Sequence, residues 1–235
     1  MIKVLGILAS PRKYGVNAKL LRTALIAAEQ LNAVTKQINL YDYEIKPCIG
    51  CLSDILKSCR PPCVIEDDMR KLYDYVQDSD VIIISTPVYW YSPPGQLKNF
   101  LDRLTVFENM IEISGRSLVE GKVAGIIAVG NDSGAVMTAA QILMTLNSMG
   151  YAVPPWGYLS FTIPKDQEIP KVRLLEAANV GRVTVLMARK IEPRKIEWFD
   201  PELLEQIYNK VKEEFSKIQD KDEINKRRKI ITKLL

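Results

Sequence analysis

Ile2-Lys3-Val4-Leu5-Gly6-Ile7-Leu8-Ala9 leads directly into Ser10-Pro11-Arg12-Lys13-Tyr14-Gly15-Val16-Asn17, and residues 18–31 follow with apolar side chains at helical spacing. The first block reads as a buried strand and the last as an amphipathic helix. A strand that enters a helix through a polar loop makes an anion site. The first N–H groups of a helix have no partner within it, and they carry a partial positive charge. The loop adds the hydroxyl of Ser10, the amide of Asn17 and the cations Arg12 and Lys13. Phosphate is the ligand that such a cradle suits. Neither Gly-x-x-x-x-Gly-Lys-Ser/Thr nor Gly-x-Gly-x-x-Gly occurs here, which excludes two common phosphate-binding loops.

Outward from this segment, strand-like runs recur at residues 35–40, 81–86, 122–130 and 151–159. Helical candidates lie at 67–77, 95–107, 135–149 and about 169–190. The alternation predicts an α/β fold, a doubly wound five-stranded parallel sheet with helices on both faces. Val81-Ile82-Ile83-Ile84 and Val123-Ala124-Gly125-Ile126-Ile127 are continuously apolar, as strands buried on both faces are. Five strands suit the flavodoxin-like order 2-1-3-4-5, which places ligands outside the C-terminal strand ends near the first and third strands. Residues 1–190 are assigned to this domain and 191–235 to a C-terminal helical extension, set off by Pro193 and Pro201. In the extension Leu203, Leu204, Ile207, Tyr208, Val211 and Phe215 form an apolar stripe along a helix expected at 202–233. That stripe needs a surface to cover, in a small domain of its own or, as expected here, on a subunit partner.

Of the 235 residues 47% are apolar, enough for a substantial core, and no apolar run approaches the roughly 20 residues that span a bilayer. Met1-Ile2-Lys3 enters the first strand with no leader, so a cytoplasmic protein without a membrane partner is expected. The net charge of +4 is modest, and the basic run Lys226-Arg227-Arg228-Lys229 reads as a solvated helix end rather than a nucleic-acid site. Histidine is absent from the chain. That removes the commonest general acid–base residue and leaves the chemistry to a cofactor, Cys, Tyr or carboxylates.

Two further loops belong to the same sheet edge. Thr86-Pro87-Val88-Tyr89-Trp90-Tyr91-Ser92-Pro93-Pro94-Gly95 follows the third strand, and its three successive aromatics can stack on a planar ring or form a hydrophobic subunit contact. Gly130-Asn131-Asp132-Ser133-Gly134 follows the fourth strand, and its small residues let a ligand approach the backbone closely.

These pieces together resemble the NADPH-dependent FMN reductase family, near its iron–sulfur flavoprotein branch. The resemblance rests on Gly6 to Lys13 with Asn17, Thr86 to Trp90, Gln96-Leu97-Lys98-Asn99-Phe100-Leu101-Asp102-Arg103, and Pro47-Cys48-Ile49-Gly50-Cys51 with Cys63-Val64-Ile65-Glu66-Asp67-Asp68-Met69. It covers roughly residues 1–160. It implies an FMN phosphate held by Ser10, Arg12 and Asn17, with Lys13 and Ala18 in the same loop. The isoalloxazine would be lined by Pro87, Val88, Tyr89, Trp90 and Tyr91, with Gly130, Asn131, Asp132, Ser133 and Gly134 on its far side. Family members often carry Thr after the loop Asn; here Ala18 stands there, so Tyr14 or backbone N–H groups replace one hydroxyl. The implied function is NAD(P)H oxidation through bound FMN to a flavin, quinone or other acceptor, in a homodimer or homotetramer. An FMN electron carrier without reductase activity is the alternative.

Cys48, Cys51, Cys59 and Cys63 form a C-x2-C-x7-C-x3-C pattern. Four thiolates can hold an iron–sulfur cluster or a zinc ion, and the absence of His leaves thiolate-only coordination. In the iron–sulfur branch the third Cys follows the second by three positions, and Asp54 stands there in this chain. Disulfides and free thiols, structural or redox-active, therefore remain beside the cluster as readings.

Overall fold

Each of the three central strands feeds two cores. The computed structural model describes residues 1–164, 167–191 and 200–216, together with 225, 228–230 and 232. Five parallel strands, β1 (Lys3–Leu8), β2 (Val34–Asn39), β3 (Val81–Pro87), β4 (Val123–Gly130) and β5 (Tyr158–Thr162), lie in the order β2-β1-β3-β4-β5. The flavodoxin-like α/β fold is as expected. The helices are α1 (Val16–Glu29), α2 (Met69–Asp78), α3 (Gly95–Arg103), α4 (Thr105–Glu108), α5 (Met110–Ser114), α6 (Ala135–Ser148), α7 (Lys171–Ala188) and α8 (Pro201–Ser216).

Alternate residues of a strand face opposite sides, so continuous apolar runs bury both. Leu5 and Ile7 of β1, Ile82 and Ile84 of β3, and Ile126 of β4 meet Leu72 and Val76 of α2, Leu97 and Phe100 of α3, and Ile142 of α6. Val4 and Leu8, Val81 and Ile83, and Val123 and Ile127 meet Leu20, Leu21 and Leu25 of α1 and Val180 of α7. These side chains are at most 2% exposed, and each such burial stabilises the fold by about 1.5–3 kcal/mol. The register brings the C-terminal ends of β1, β3 and β4 to one edge, where the three polar loops emerge.

Two expected elements are corrected. The fifth strand was expected at 151–159 and lies at Tyr158–Thr162; Ala152 keeps only a single bridge to Val123. Pro154 and Pro155 have no N–H to give a ladder, and the chain turns there with the Gly157 N–H on the Pro154 carbonyl before pairing with β4. The helix expected at 95–107 stops at Arg103 and resumes as the single turn α4. The Thr105 hydroxyl donates to the Asp102 carbonyl at 2.8 Å, a local bond that competes with regular helix geometry.

The chain divides into two compact units, Met1–Ile196 and Glu197–Leu235. In the second, Leu203, Leu204, Ile207, Tyr208 and Val211 of α8 are all exposed. Pro193, the Phe215 side chain, Lys226, Arg227 and most of the expected helix beyond Ser216 lie outside the described residues. Among the described residues no helix is long and apolar enough to cross a membrane.

Candidate functional site

Gly15 occupies the N-cap of α1 and has no side chain to satisfy the first N–H groups of the helix; the first turn carries no acidic residue either. Such an end asks for an external acceptor. The loop before it is organised to present one. Ser10 is buried and its Oγ accepts the Arg12 N–H at 3.2 Å, while the Gly15 N–H donates to the Arg12 carbonyl at 3.2 Å. The Ser85 hydroxyl of β3 donates to both the Asn17 carbonyl and its Oδ1, at 2.9 and 3.2 Å, which orients the amide from below and leaves its side-chain N–H groups without a partner among the described residues.

A cavity of about 550 Å³ opens at this helix end. Ser10, Arg12 and Asn17 line it from the first loop, Pro87, Val88 and Tyr89 from the loop after β3, and Gly130 and Asn131 from the loop after β4. Its size falls in the range of ligand pockets, roughly 300–1,000 Å³. Arg12 and Lys19 are both exposed at its wall and neither forms an ion pair among the described residues. Their charges are therefore free to meet an anionic ligand.

Seven of the sequence-derived residues stand outside this lining. Lys13 pairs with Asp42 at 2.6 Å, turned toward the segment after β2. Ala18 is buried in the core of α1. Trp90 and Tyr91 form the tip of a two-residue turn closed by reciprocal Tyr89 and Ser92 backbone bonds of 2.9 and 3.1 Å. Both tip residues are left-handed, with φ of 50° and 63°, a conformation costly for any side chain, and Trp90 is 94% exposed. Asp132 and Ser133 are exposed and bond to each other at 3.2 Å. Gly134 supports the wall from behind: a Cβ there would stand 3.0 Å from Tyr91 Cα and from Val88 Cγ1.

Besides Pro11, Gly15 and Val16 of the quoted loop, the lining takes in Lys19, Val129, Ile163, Pro164 and Gln167, which sequence reasoning missed. Lys19 was readable, because it lies one helical turn after Gly15 and shares its face. Ile163, whose N–H donates to the Gly130 carbonyl at 3.0 Å, joins the site only because β5 starts later than its apolar run suggests.

Residues 2–165 match the family of NADPH-dependent FMN reductases. The chain belongs to that family. An iron–sulfur flavoprotein of Archaeoglobus fulgidus is 35% identical over 128 residues, 54% of this chain and 54% of that protein. An iron–sulfur flavoprotein of Methanocaldococcus jannaschii is 34% identical over 145 residues, 60% of this chain and 69% of its own length. The match thus spans little more than half of the first relative. Among solved structures, RosB with a bound 8-demethyl-8-formylriboflavin-5′-phosphate intermediate superposes with a TM-score of 0.71 at 19% identity, covering 93% of this chain and 90% of that one. A flavodoxin from the Archaea gives 0.53 at 13% identity, over 80% and 99% of the two chains. Both support the fold.

In this FMN reductase-family chain the cysteines lie between β2 and α2, a segment with one-turn 3₁₀ helices and little other regular structure. Its carbonyls are held by side chains from one stretch. Gln96 Nε2 donates to the Leu40 and Tyr43 carbonyls at 2.9 Å each, Asn99 Nδ2 to Ile45 at 3.1 Å, and Arg103 to Lys46 at 3.0 Å. Asn109 Nδ2 reaches the Leu56 and Cys59 carbonyls at 2.9 and 2.8 Å. Arg103 also grips Asp67 at 2.6 Å, both side chains fully buried. Burial opposes ionisation of Asp67, yet the guanidinium and two backbone N–H groups outweigh it and hold the carboxyl below its ordinary range. The quoted Gln96–Arg103 motif is therefore the clamp of the cysteine segment.

All four cysteines are free thiols lining one small pocket. Burial, then the neighbouring sulfurs, push the Cys59 thiol up to about 12. Among the described residues no three Cys, Asp or Glu side chains are arranged to hold a metal ion. The set Cys48, Cys51, Cys59 and Cys63, named above as candidate ligands, comes together around this one pocket.

Proposed function

We propose that this chain is an FMN-dependent oxidoreductase that takes electrons from NADH or NADPH and passes them to a flavin, a quinone or another acceptor. The observation that carries the reading is the uncapped N-terminus of α1 with two cations, Arg12 and Lys19, that form no ion pair among the described residues, at one wall of a cavity built by three loops. The chain's residues suit FMN: Ser10, Arg12, Asn17, Lys19 and the first N–H groups of α1 would hold the phosphate. Pro87, Val88 and Tyr89, with Gly130 and Asn131 opposite, would border the ring. Bound FMN would supply the hydride and electron chemistry. The chain's part is to neutralise the phosphate, to fix the ring against a wall braced by Gly134, and to shield one side of it from water. Homodimer or homotetramer formation through the exposed Trp90–Tyr91 turn belongs to the same reading, as does a cytoplasmic location.

The relatives named iron–sulfur flavoproteins favour the electron-carrier alternative, in which the four cysteines would hold a cluster. Cys48, Cys51, Cys59 and Cys63 line one small pocket and are the set that would hold such a group; no step is derived through it. A visible spectrum with flavin quantitation, followed by steady-state NADH and NADPH oxidation with added FMN or a quinone, tests the proposal. Bound flavin with turnover supports it. A protein that takes up FMN yet oxidises neither nucleotide is a carrier, and one that takes up no FMN ends both readings.

A further inference from the structure

β5 is the outer strand beyond β4, and among the described residues no strand pairs with its far edge. The Ile126 N–H donates to the Gly157 carbonyl and the Ile163 N–H to the Gly130 carbonyl, both at 3.0 Å. Successive peptide groups of a strand point opposite ways, so these odd-numbered positions serve β4. The N–H and C=O groups of Tyr158, Ser160 and Thr162 therefore point out of the sheet. The opposite edge is built differently. There β2 carries the exposed Lys36, whose Nζ stands 3.2 Å from the centre of the Tyr75 ring, and a lysine on an edge strand discourages further pairing. Tyr158-Leu159-Ser160-Phe161-Thr162 holds neither a charge nor a proline. An edge without such guards is a template for another strand.

Beside that edge a groove of about 660 Å³ runs between β5 and α7. Trp156, Tyr158 and Ser160 line it on the strand side, and Val172, Leu175 and Asn179 on the helix side. α7 turns Ala177, Val180 and Thr184 into the core, which leaves Val172 and Leu175 exposed along the groove. Trp156 is left-handed, φ 56°, and 75% exposed. The turn closed by the Gly157 N–H on the Pro154 carbonyl thus holds a bulky ring at the rim, in a costly backbone conformation that gains little burial within its own chain.

A second copy of the chain is the occupant this surface suits. The outward groups are symmetric about Ser160: in an antiparallel two-fold pairing Ser160 meets its own counterpart, Tyr158 meets the counterpart of Thr162, and all three peptide groups are satisfied together. The charged side chains lining the groove are Arg173 and Glu176, bonded to each other at 2.7 Å, so doubling the patch brings no excess of like charge. Area is also at hand. Trp156 and Tyr158, 75% and 51% exposed, offer about 250 Å² if each ring can bury roughly 200 Å². That is about a third of the ~800 Å² each side of a stable interface buries, before α7 and the strand itself are added.

We propose that β5 pairs antiparallel with β5 of a second copy about a two-fold axis at Ser160, joining the two five-stranded sheets into one. Trp156 and the Val172–Leu175 face of α7 close against the partner on each side. This pairing needs neither flavin nor the Trp90–Tyr91 contact, because it uses a different surface. Either contact alone gives a dimer, and both together, with perpendicular axes, a tetramer.

The test is sedimentation equilibrium of the full chain, with amide hydrogen exchange read over residues 157–163. Ser160→Pro removes an N–H that faces away from β4, a place where an edge strand tolerates proline. Tyr158→Lys puts a charge on the edge, leaves the backbone intact and carries the test where Ser160→Pro alters the circular dichroism spectrum. Each is expected to halve the mass of the parent assembly, from tetramer to dimer or from dimer to monomer. Ser160→Ala, which keeps the N–H, is expected to keep the parental mass. Exchange over 157–163 is expected to slow with rising protein concentration in the parent and not in Ser160→Pro or Tyr158→Lys. If the Trp90–Tyr91 contact does not form, the parent is a dimer that the same two variants still convert to monomer. A monomeric parent, a parental mass kept by both Ser160→Pro and Tyr158→Lys, or edge protection independent of concentration, as covering by the chain's own C-terminal extension would give, would each overturn the proposal.

Discussion

Gly134 and Gly115 share one backbone conformation, φ 79° and ψ −3° against φ 80° and ψ 1°, and differ only in their surroundings. A Cβ at Gly115 would meet nothing within 4 Å, whereas at Gly134 it would stand 3.0 Å from Tyr91 Cα, Tyr91 Cδ1 and Val88 Cγ1. Gly115→Ala therefore carries only the left-handed penalty, about 1 kcal/mol. Gly134→Ala carries the same penalty and must also displace a backbone atom, an overpacking cost of about 1–3 kcal/mol. Urea unfolding of both variants, followed by circular dichroism, should place Gly134→Ala below Gly115→Ala by that second amount. Val88 lines the cavity, so Gly134→Ala should also weaken FMN binding in a fluorescence titration while Gly115→Ala leaves it unchanged. Equal destabilisation by the two substitutions would refute the claim that Gly134 braces the cavity wall.

Arg12→Ala removes a charge-assisted phosphate contact at an exposed wall and should weaken FMN affinity roughly 10-fold, read by titration; unchanged affinity would remove Arg12 from the phosphate site. Arg103→Ala leaves Asp67 buried without its partner and should cost about 3–5 kcal/mol in urea unfolding. The folded carboxyl of Asp67 is depressed, so its contribution is complete above the unfolded value of about 3.9 and is lost as pH falls through the lower folded value. Unfolding midpoints measured down that acid range should fall less steeply for Asp67→Asn than for the parent. Trp90→Gly relieves a left-handed residue whose side chain is exposed and should stabilise the monomeric fold by about 0.5–1 kcal/mol, while light scattering reports a smaller oligomer.

Much of the site was legible where chemistry is local. The loop after β1 could be singled out because its polar residues, two cations and a following amphipathic helix are neighbours in the chain. Lys13 misled, since its partner Asp42 lies beyond a whole helix and strand, and only folding brings the two within 2.6 Å. The run Tyr151-Ala152-Val153 has strand composition, but pairing is decided by which N–H groups can reach β4, and the two prolines postpone that pairing to Tyr158. The motif Gln96 to Arg103 was visible as a resemblance without a role. Its polar residues at 96, 99 and 103 share one helix face, and the carbonyls they hold lie 53 to 57 positions away, with the Asp67 carboxylate 36 away.

By itself the sequence determined the doubly wound sheet, because continuous apolar runs separated by amphipathic helices can bury both strand faces in no other simple way. It also carried the expectation of an anion at the end of the first strand. Tertiary structure alone decided that the residues after β5 join the cavity, that Trp90 and Tyr91 stand away from it on a strained turn, and that of four clustered cysteines one is exposed, one half-buried and two buried. Those outcomes depend on burial and on partners distant in the chain, quantities that local composition and spacing do not carry.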